Sequence, residues 1–110
     1  IGDSPVIGAG TYADNRSCAV SATGHGEYFI RHTVARDICA RMQFGGATLE
    51  KAASTVVMEE LIKADGEGGI VAVDPAGRVA LVFNTPGMYR ASIDATGRKV
   101  VGIYGEDETP

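Results

Sequence analysis

The sequence predicts an α/β chain: one strand, two helices, then an antiparallel set of strands. Together these form one side of a layered α/β/β/α body. Three observations carry this. The apolar run Cys18-Ala19-Val20-Ser21-Ala22 passes through the glycine-containing turn Thr23-Gly24-His25-Gly26-Glu27 into a stretch with helical periodicity. A second helical stretch follows a capping threonine, Thr48. The later apolar runs Ile70-Val71-Ala72-Val73 and Val79-Ala80-Leu81-Val82-Phe83 do not alternate apolar with polar residues. A strand with one solvated face alternates, so these runs are expected to be covered on both faces. Two helices can cover only one. A further sheet from outside this chain is expected on the other.

Residues Ile1 to Gly10 read as a loop punctuated by Gly and Pro. Thr11 to Ala13 reads as a short strand, Asp14-Asn15 as a turn, and Arg16 to Ala22 as the first long strand. The first helix is expected from Glu27 to Phe44. Ile30, Val34, Ala35, Ile38, Cys39 and Met42 fall on one arc, and His32, Arg36, Asp37 and Gln43 on the other. Gly45-Gly46 ends it with the flexibility a C-terminal cap requires, and Arg41 suits the negative end of the helix dipole. The second helix is expected from Leu49 to Ala64, with Leu49, Ala52, Ala53, Val56, Val57 and Ala64 on its apolar face. Glu60 projects into that arc, its stem packing and its carboxylate reaching water. Asp65 to Gly69 reads as a flexible loop. Four strands follow: Gly69 to Asp74, Arg78 to Phe83, Tyr89 to Asp94, and Lys99 to Tyr104. Asp74-Pro75-Ala76-Gly77 and Ala95-Thr96-Gly97-Arg98 are the turns between them. The acidic tail Glu106 to Pro110 is expected to be loose.

Bulk composition narrows the function. The 110 residues suffice for one small domain with a modest core. The 15 glycines are about twice the usual share, which points to tight turns and close backbone approaches. A net charge of −4 gives no basic footprint for nucleic acid, and no apolar run is long enough to span a membrane. Cys18 and Cys39 are read as two buried thiols in a reducing compartment. No spacing of Cys or His suggests a metal, and no cofactor is expected. Ile1 has neither an initiator Met nor a signal region before it, and reads as an internal position of a longer gene product.

The turn Thr23 to Glu27 is the chemical focus. Its two glycines let a ligand approach the backbone, and the helix that follows offers unpaired N–H groups to negative charge. Three other stretches accompany it: Ile1-Gly2-Asp3-Ser4-Pro5; Gly8-Ala9-Gly10 with Tyr12-Ala13-Asp14-Asn15; and Phe83-Asn84-Thr85-Pro86-Gly87-Met88-Tyr89-Arg90. In this order and spacing the set resembles the β subunit of plant-type asparaginases, also called isoaspartyl peptidases, which are N-terminal-nucleophile hydrolases. The resemblance covers nearly the whole chain. The relative glycosylasparaginase carries Asn at the His25 position and Asp at the Glu27 position, which favours the asparaginase/isoaspartyl peptidase branch.

The resemblance implies a four-layer αββα N-terminal-nucleophile hydrolase fold, of which residues 1–110 are the C-terminal portion of the β subunit, a single partial domain. It implies a precursor that cleaves itself to expose a nucleophilic Thr whose own amino group is the base. The substrates would be L-asparagine and β-aspartyl peptides, cleaved through a covalent β-aspartyl-Thr intermediate. That Thr, and an Arg just before Ile1, belong to family segments not contained in these 110 residues, so the chain alone is expected to be inactive. The implied partners are an α subunit and the N-terminal part of the β subunit, in an (αβ)2 assembly. A cytoplasmic location is expected, with the periplasm as the alternative.

The resemblance assigns Gly2, Asp3, Thr23, Gly24, His25 and Gly26 to substrate binding. Asp3 would hold the substrate ammonium; read from the residues alone, it is an Asx-turn aspartate bracing Asp3-Ser4-Pro5. Thr23 and Gly24 match the catalytic oxyanion hole; the plainer reading is a tight turn capped by Thr23. Gly26 would border the polar end of the substrate through its backbone. His25 is read as pocket wall rather than as an acid or base, and His32 as solvated. Glu27 favours the helix N-terminus. Asn84 to Arg90 would line the pocket or a subunit contact, with Met88 and Tyr89 read as packing residues. Two competing functions remain open: a glycosylasparaginase, and a non-catalytic α+β module that holds an anion on its glycine-rich turn.

Overall fold

The computed structural model describes residue 2 and residues 4–104. The β-branched and apolar runs form six strands: β1 (Thr11–Ala13), β2 (Ala19–Gly24), β3 (Gly68–Val73), β4 (Val79–Phe83), β5 (Gly87–Ile93) and β6 (Lys99–Tyr104). The first four make one antiparallel sheet in the order β1-β2-β3-β4, and β5 pairs with β6 in a separate ladder. The expected single set of late strands is therefore divided. The segment Asn84–Pro86 turns the chain out of the main sheet. Arg90 then ties the hairpin back: its buried guanidinium lies 4.8 Å from the centre of the Phe83 ring and donates to Tyr104 O (2.9 Å).

Between β2 and β3 lie the helices α1 (Gly26–Arg31), α2 (Val34–Gly45) and α3 (Leu49–Ser54); α3 continues through a π-helical stretch, Thr55–Glu60, into α4 (Leu61–Lys63). The second expected helix is thus continuous to Lys63, with a wider turn in its middle. Thr48 caps it as expected, its hydroxyl accepting from Lys51 N–H (3.2 Å). Leu61, absent from the predicted apolar face, is fully buried.

The first expected helix is broken in two. Thr33 sits at φ +45° between α1 and α2. The loop before β1 explains the break. Gly8 O accepts from Arg36 N–H (2.8 Å) and Ala9 O from Ala35 N–H (3.0 Å). The loop carbonyls thus satisfy donors that the start of α2 leaves orphaned. The break also turns α1, so that Phe29 is buried and Ile30, predicted on the apolar arc, is exposed. Gly46 ends α2 at φ +69°, as the C-terminal cap predicted.

Strand β2 starts later than expected because Arg16 belongs to the preceding turn. Its backbone N–H and guanidinium both reach Asp14 (2.9 and 2.7 Å), holding that carboxyl well below the usual carboxylate range. The later hairpin turns follow the same chemistry. Asp74 Oδ1 accepts from Ala76 and Arg78 N–H (3.0 and 2.9 Å), and Asp94 Oδ1 from Thr96 and Arg98 N–H (2.9 and 3.0 Å).

The helices pack on one face of the main sheet. Val20, Ala22, Ile70, Ala72, Ala80 and Val82 point into that core and are buried. The other face is apolar too, as expected, but among the described residues it is left partly open: Val71, Val73 and Val79 are 40%, 42% and 42% exposed. Cys18 and Cys39 are not free thiols. They form a disulfide that ties the chain just before β2 to α2, with Cα atoms 5.4 Å apart. The residues share one buried cluster, and the fold brings them to bonding range. Spacing in the sequence alone does not reveal that proximity. No helix among the described residues is long and apolar enough to cross a membrane.

Candidate active site

The turn after β2 is built from glycines paired across two strands. Gly24 lies opposite Gly68, and Thr23 opposite Gly69. Neither Gly24 nor Gly68 has room for a side chain. A Cβ on Gly24 would strike Glu67 O and come within 2.9 Å of the Phe29 ring. One on Gly68 would strike Thr23 O and come within 2.6 Å of the same ring. Gly24 also has φ +148°, a conformation side chains disfavour. Phe29, one turn into α1, is the fully buried floor beneath both glycines.

The direction of the amides follows from the ladder. His25 N–H donates to Glu67 O across the sheet (2.9 Å). Antiparallel pairs alternate between exchanging hydrogen bonds and facing away. Gly24 N–H therefore points away from β3, toward the side where β1 has already ended: the last β1 pairing is Thr11 with Ser21. That donor takes no part in the β2–β3 ladder.

Thr23, Gly24 and His25 are exposed and line an open cleft of about 420 Å³. Its opposite wall is Thr85, Gly87, Met88 and Tyr89, and its floor Glu67 to Gly69. The sequence-predicted turn and the segment after Phe83 thus meet, although about sixty residues separate them. Met88 packs as expected, its sulfur within 2.7 Å of where a Gly69 Cβ would stand. Tyr89 does not: it is 83% exposed at the cleft rim, because β5 leaves the main sheet there and directs the ring outward. The His25 ring is 6.1 Å from that of Tyr28, and Glu27 occupies the first turn of α1. Gly26 approaches the amino-terminal turn: a Cβ on Gly2, at φ +75°, would be 3.9 Å from Gly26 Cα. The structure thus brings Gly2, Thr23, Gly24, His25 and Gly26 into one neighbourhood. Asp3 lies outside the described residues, as do Ile1 and the tail from Glu106. His32 is exposed at the end of α1.

Two contributors were not legible in the sequence. Phe29 carries no polar chemistry and announces itself only by packing. Asn84 reads in the sequence only as the first residue of a segment expected to line the pocket or a subunit contact. Its side chain accepts from Gly68 N–H (2.8 Å) and donates to Gly66 O and Val57 O (both 3.0 Å). The supposedly flexible loop is therefore pinned: Gly66 N–H also donates to Leu61 O (2.7 Å). No cluster of metal-ligating side chains occurs among the described residues.

A family model described as Asparaginase matches residues 1–103. The chain is 54% identical over 106 residues to the isoaspartyl peptidase of Escherichia coli, covering 96% of this chain and 33% of that protein. It is likewise 54% identical to the isoaspartyl peptidase of Salmonella typhimurium, over 96% of this chain and 34% of the relative. An isoaspartyl peptidase/L-asparaginase of Danio rerio is 36% identical over 97% of the chain and 34% of its own length. The chain spans about a third of the length of the curated relatives it matches. With a matched region that takes in every motif of the cleft, the chain belongs to the plant-type asparaginase/isoaspartyl peptidase family.

Proposed function

We propose that this chain is the C-terminal part of the β subunit of an αβ amidohydrolase that cleaves β-aspartyl peptides and L-asparagine. The observation that carries the reading is the convergence of Thr23-Gly24 and the Thr85–Tyr89 segment on one cleft. The names of the relatives support the substrate class. The nucleophilic Thr is assigned, by resemblance, to a segment preceding Ile1. It would attack the side-chain carbonyl of the substrate, its own amino group taking the proton. The carbonyl oxygen then gains negative charge. Gly24 N–H and the Thr23 hydroxyl would stabilise that charge; one such donor is worth about 10²–10³-fold in rate. The amine leaves, and water hydrolyses the β-aspartyl ester to release aspartate. Gly2 and Gly26 would border the amino-acid end of the substrate, with Asp3 on its ammonium.

The uncovered face of the main sheet supports the four-layer αββα fold, with the α subunit and the rest of the β subunit supplying the second sheet. It also counts against a stand-alone binding module, since a separate domain rarely leaves such a face open. The disulfide fits the periplasm, an oxidising compartment, better than the cytoplasm. The test is to express the complete protein, sequence the N-terminus of its small subunit, and assay β-aspartyl dipeptides and asparagine. A Thr at that N-terminus with dipeptide hydrolysis is expected. A small subunit that starts otherwise, or intact dipeptides, contradicts the reading. A glycosylated asparagine substrate assayed in parallel distinguishes the glycosylasparaginase reading.

A further inference from the structure

We propose that Asn84 is a positioning residue for the oxyanion-stabilising turn, acting through the Gly66–Gly68 backbone. This rests on the functional reading of Thr23 and Gly24 above. The geometry is a relay of hydrogen bonds. Asn84 stands just past the end of β4 and is tied to Gly68 twice: its own N–H donates to Gly68 O (3.0 Å), and its Oδ1 accepts from Gly68 N–H (2.8 Å). Its amide nitrogen divides two protons between Gly66 O and Val57 O (3.0 Å each). One of these carbonyls belongs to the loop and the other to the π-helical stretch Thr55–Glu60. Both of the amide's donor hydrogens are used, and its oxygen is engaged.

The loop so held is the one that fixes the turn. Glu67, between the two clamped residues, accepts from His25 N–H (2.9 Å). Gly68 lies directly opposite Gly24, with no space between the two backbones for a methyl group. A shift of Gly68 must therefore move Gly24, Phe29 or both. An oxyanion donor works only when it is held in place before charge develops. The hydrogen bonds of the Asn84 side chain go to Gly66, Gly68 and Val57 rather than to Thr23 or Gly24. The side chain sets where the Gly24 amide stands and takes no part in the chemistry.

An aspartate at this position separates positioning from packing. It keeps the shape and the bond from Gly68 N–H, but turns an acceptor toward Gly66 O and Val57 O in place of the donor. The experiment uses the complete protein with Asn84→Asp, and Asn84→Ser in case the carboxylate prevents folding. Two quantities are read: kcat and KM for a β-aspartyl dipeptide per folded site, and amide hydrogen exchange at His25. The expected result is a fall in kcat of about tenfold or more with KM changed less than about threefold. His25 exchange is expected to accelerate about tenfold as its bond to Glu67 loosens. Variants with unchanged kcat and unchanged His25 exchange, whatever their melting temperature, overturn the proposal. A wild-type protein that does not hydrolyse the dipeptide contradicts the functional reading instead. His25 exchange then still decides the relay: acceleration supports the Asn84 clamp, and no change refutes it.

Discussion

The two faces of the main sheet differ less in composition than in what lies over them. Strand β3 puts Ile70 and Ala72 on one side and Val71 and Val73 on the other, all four apolar. On the helical side the residues are buried and the disulfide joins the layers. On the other side the same kind of residue is left about two-fifths exposed. Apolar area removed from water stabilises by about 25 cal/mol per Å², so the first face sustains the fold of this chain and the second stabilises only when a partner covers it. The comparison teaches that an apolar run that fails to alternate predicts cover on both faces without reporting what supplies it.

The sharpest way to break this contrast is to place one charge on each face. Ile70→Asp is expected to cost more than about 4 kcal/mol and to unfold the 110-residue chain, because it buries an unpaired carboxylate. Val73→Asp is expected to change that chain by less than about 0.5 kcal/mol, yet to prevent assembly of the complete protein. Denaturation curves of the short chain and sedimentation of the complete protein check the pair. Equal damage in both settings would remove the distinction between the faces.

The disulfide sharpens the helical side. Cys18 and Cys39 are 21 residues apart, and closing such a loop is worth about 2–4 kcal/mol. Reduction, or Cys18→Ala with Cys39→Ala, is expected to lower the denaturation midpoint accordingly. A smaller effect comes from the break between α1 and α2. Thr33 is β-branched in a left-handed conformation, which Asn tolerates better. Thr33→Asn is expected to stabilise by about 1 kcal/mol, and an unchanged melting temperature would argue against strain there. The smallest effect is electrostatic. Asp14 has its carboxyl lowered chiefly by the hydrogen bond from the Arg16 side chain. Its contribution is fully present above the unfolded pKa of about 3.9 and is lost as pH falls through the depressed folded value. Asp14→Asn is expected to lower stability slightly at pH 7, where the contribution is present, and to leave it least changed in acid, so that the acid limb of stability against pH is flatter; an unchanged pH profile would argue against the Arg16 pairing.

The strands, the capping Thr48 and the turn at Thr23 were legible because each is a local pattern: period, hydroxyl before a helix, glycine between strand and helix. The uncovered sheet face was legible for the same reason, as a run that failed to alternate. The break at Thr33 was not, since helical periodicity continues through it; carbonyls of Gly8 and Ala9, more than twenty residues earlier, take the α2 donors. The disulfide was hidden because Cys18 and Cys39 are each ordinary core residues on their own element. Of the candidate site, the residues expected to touch substrate were visible and their support was not. Asn84 and Phe29 act at a distance in sequence, through hydrogen bonds and packing that only the folded chain reveals.

The most direct test of the central claim is the turnover of a β-aspartyl dipeptide by the complete protein carrying Thr23→Val. Thr23 is exposed, so the substitution removes a hydroxyl at nearly constant shape without disturbing the core. The account predicts a fall in kcat of about 10²-fold, with KM and melting temperature nearly unchanged. A variant that turns over at the wild-type rate would contradict the assignment of this hydroxyl to the oxyanion.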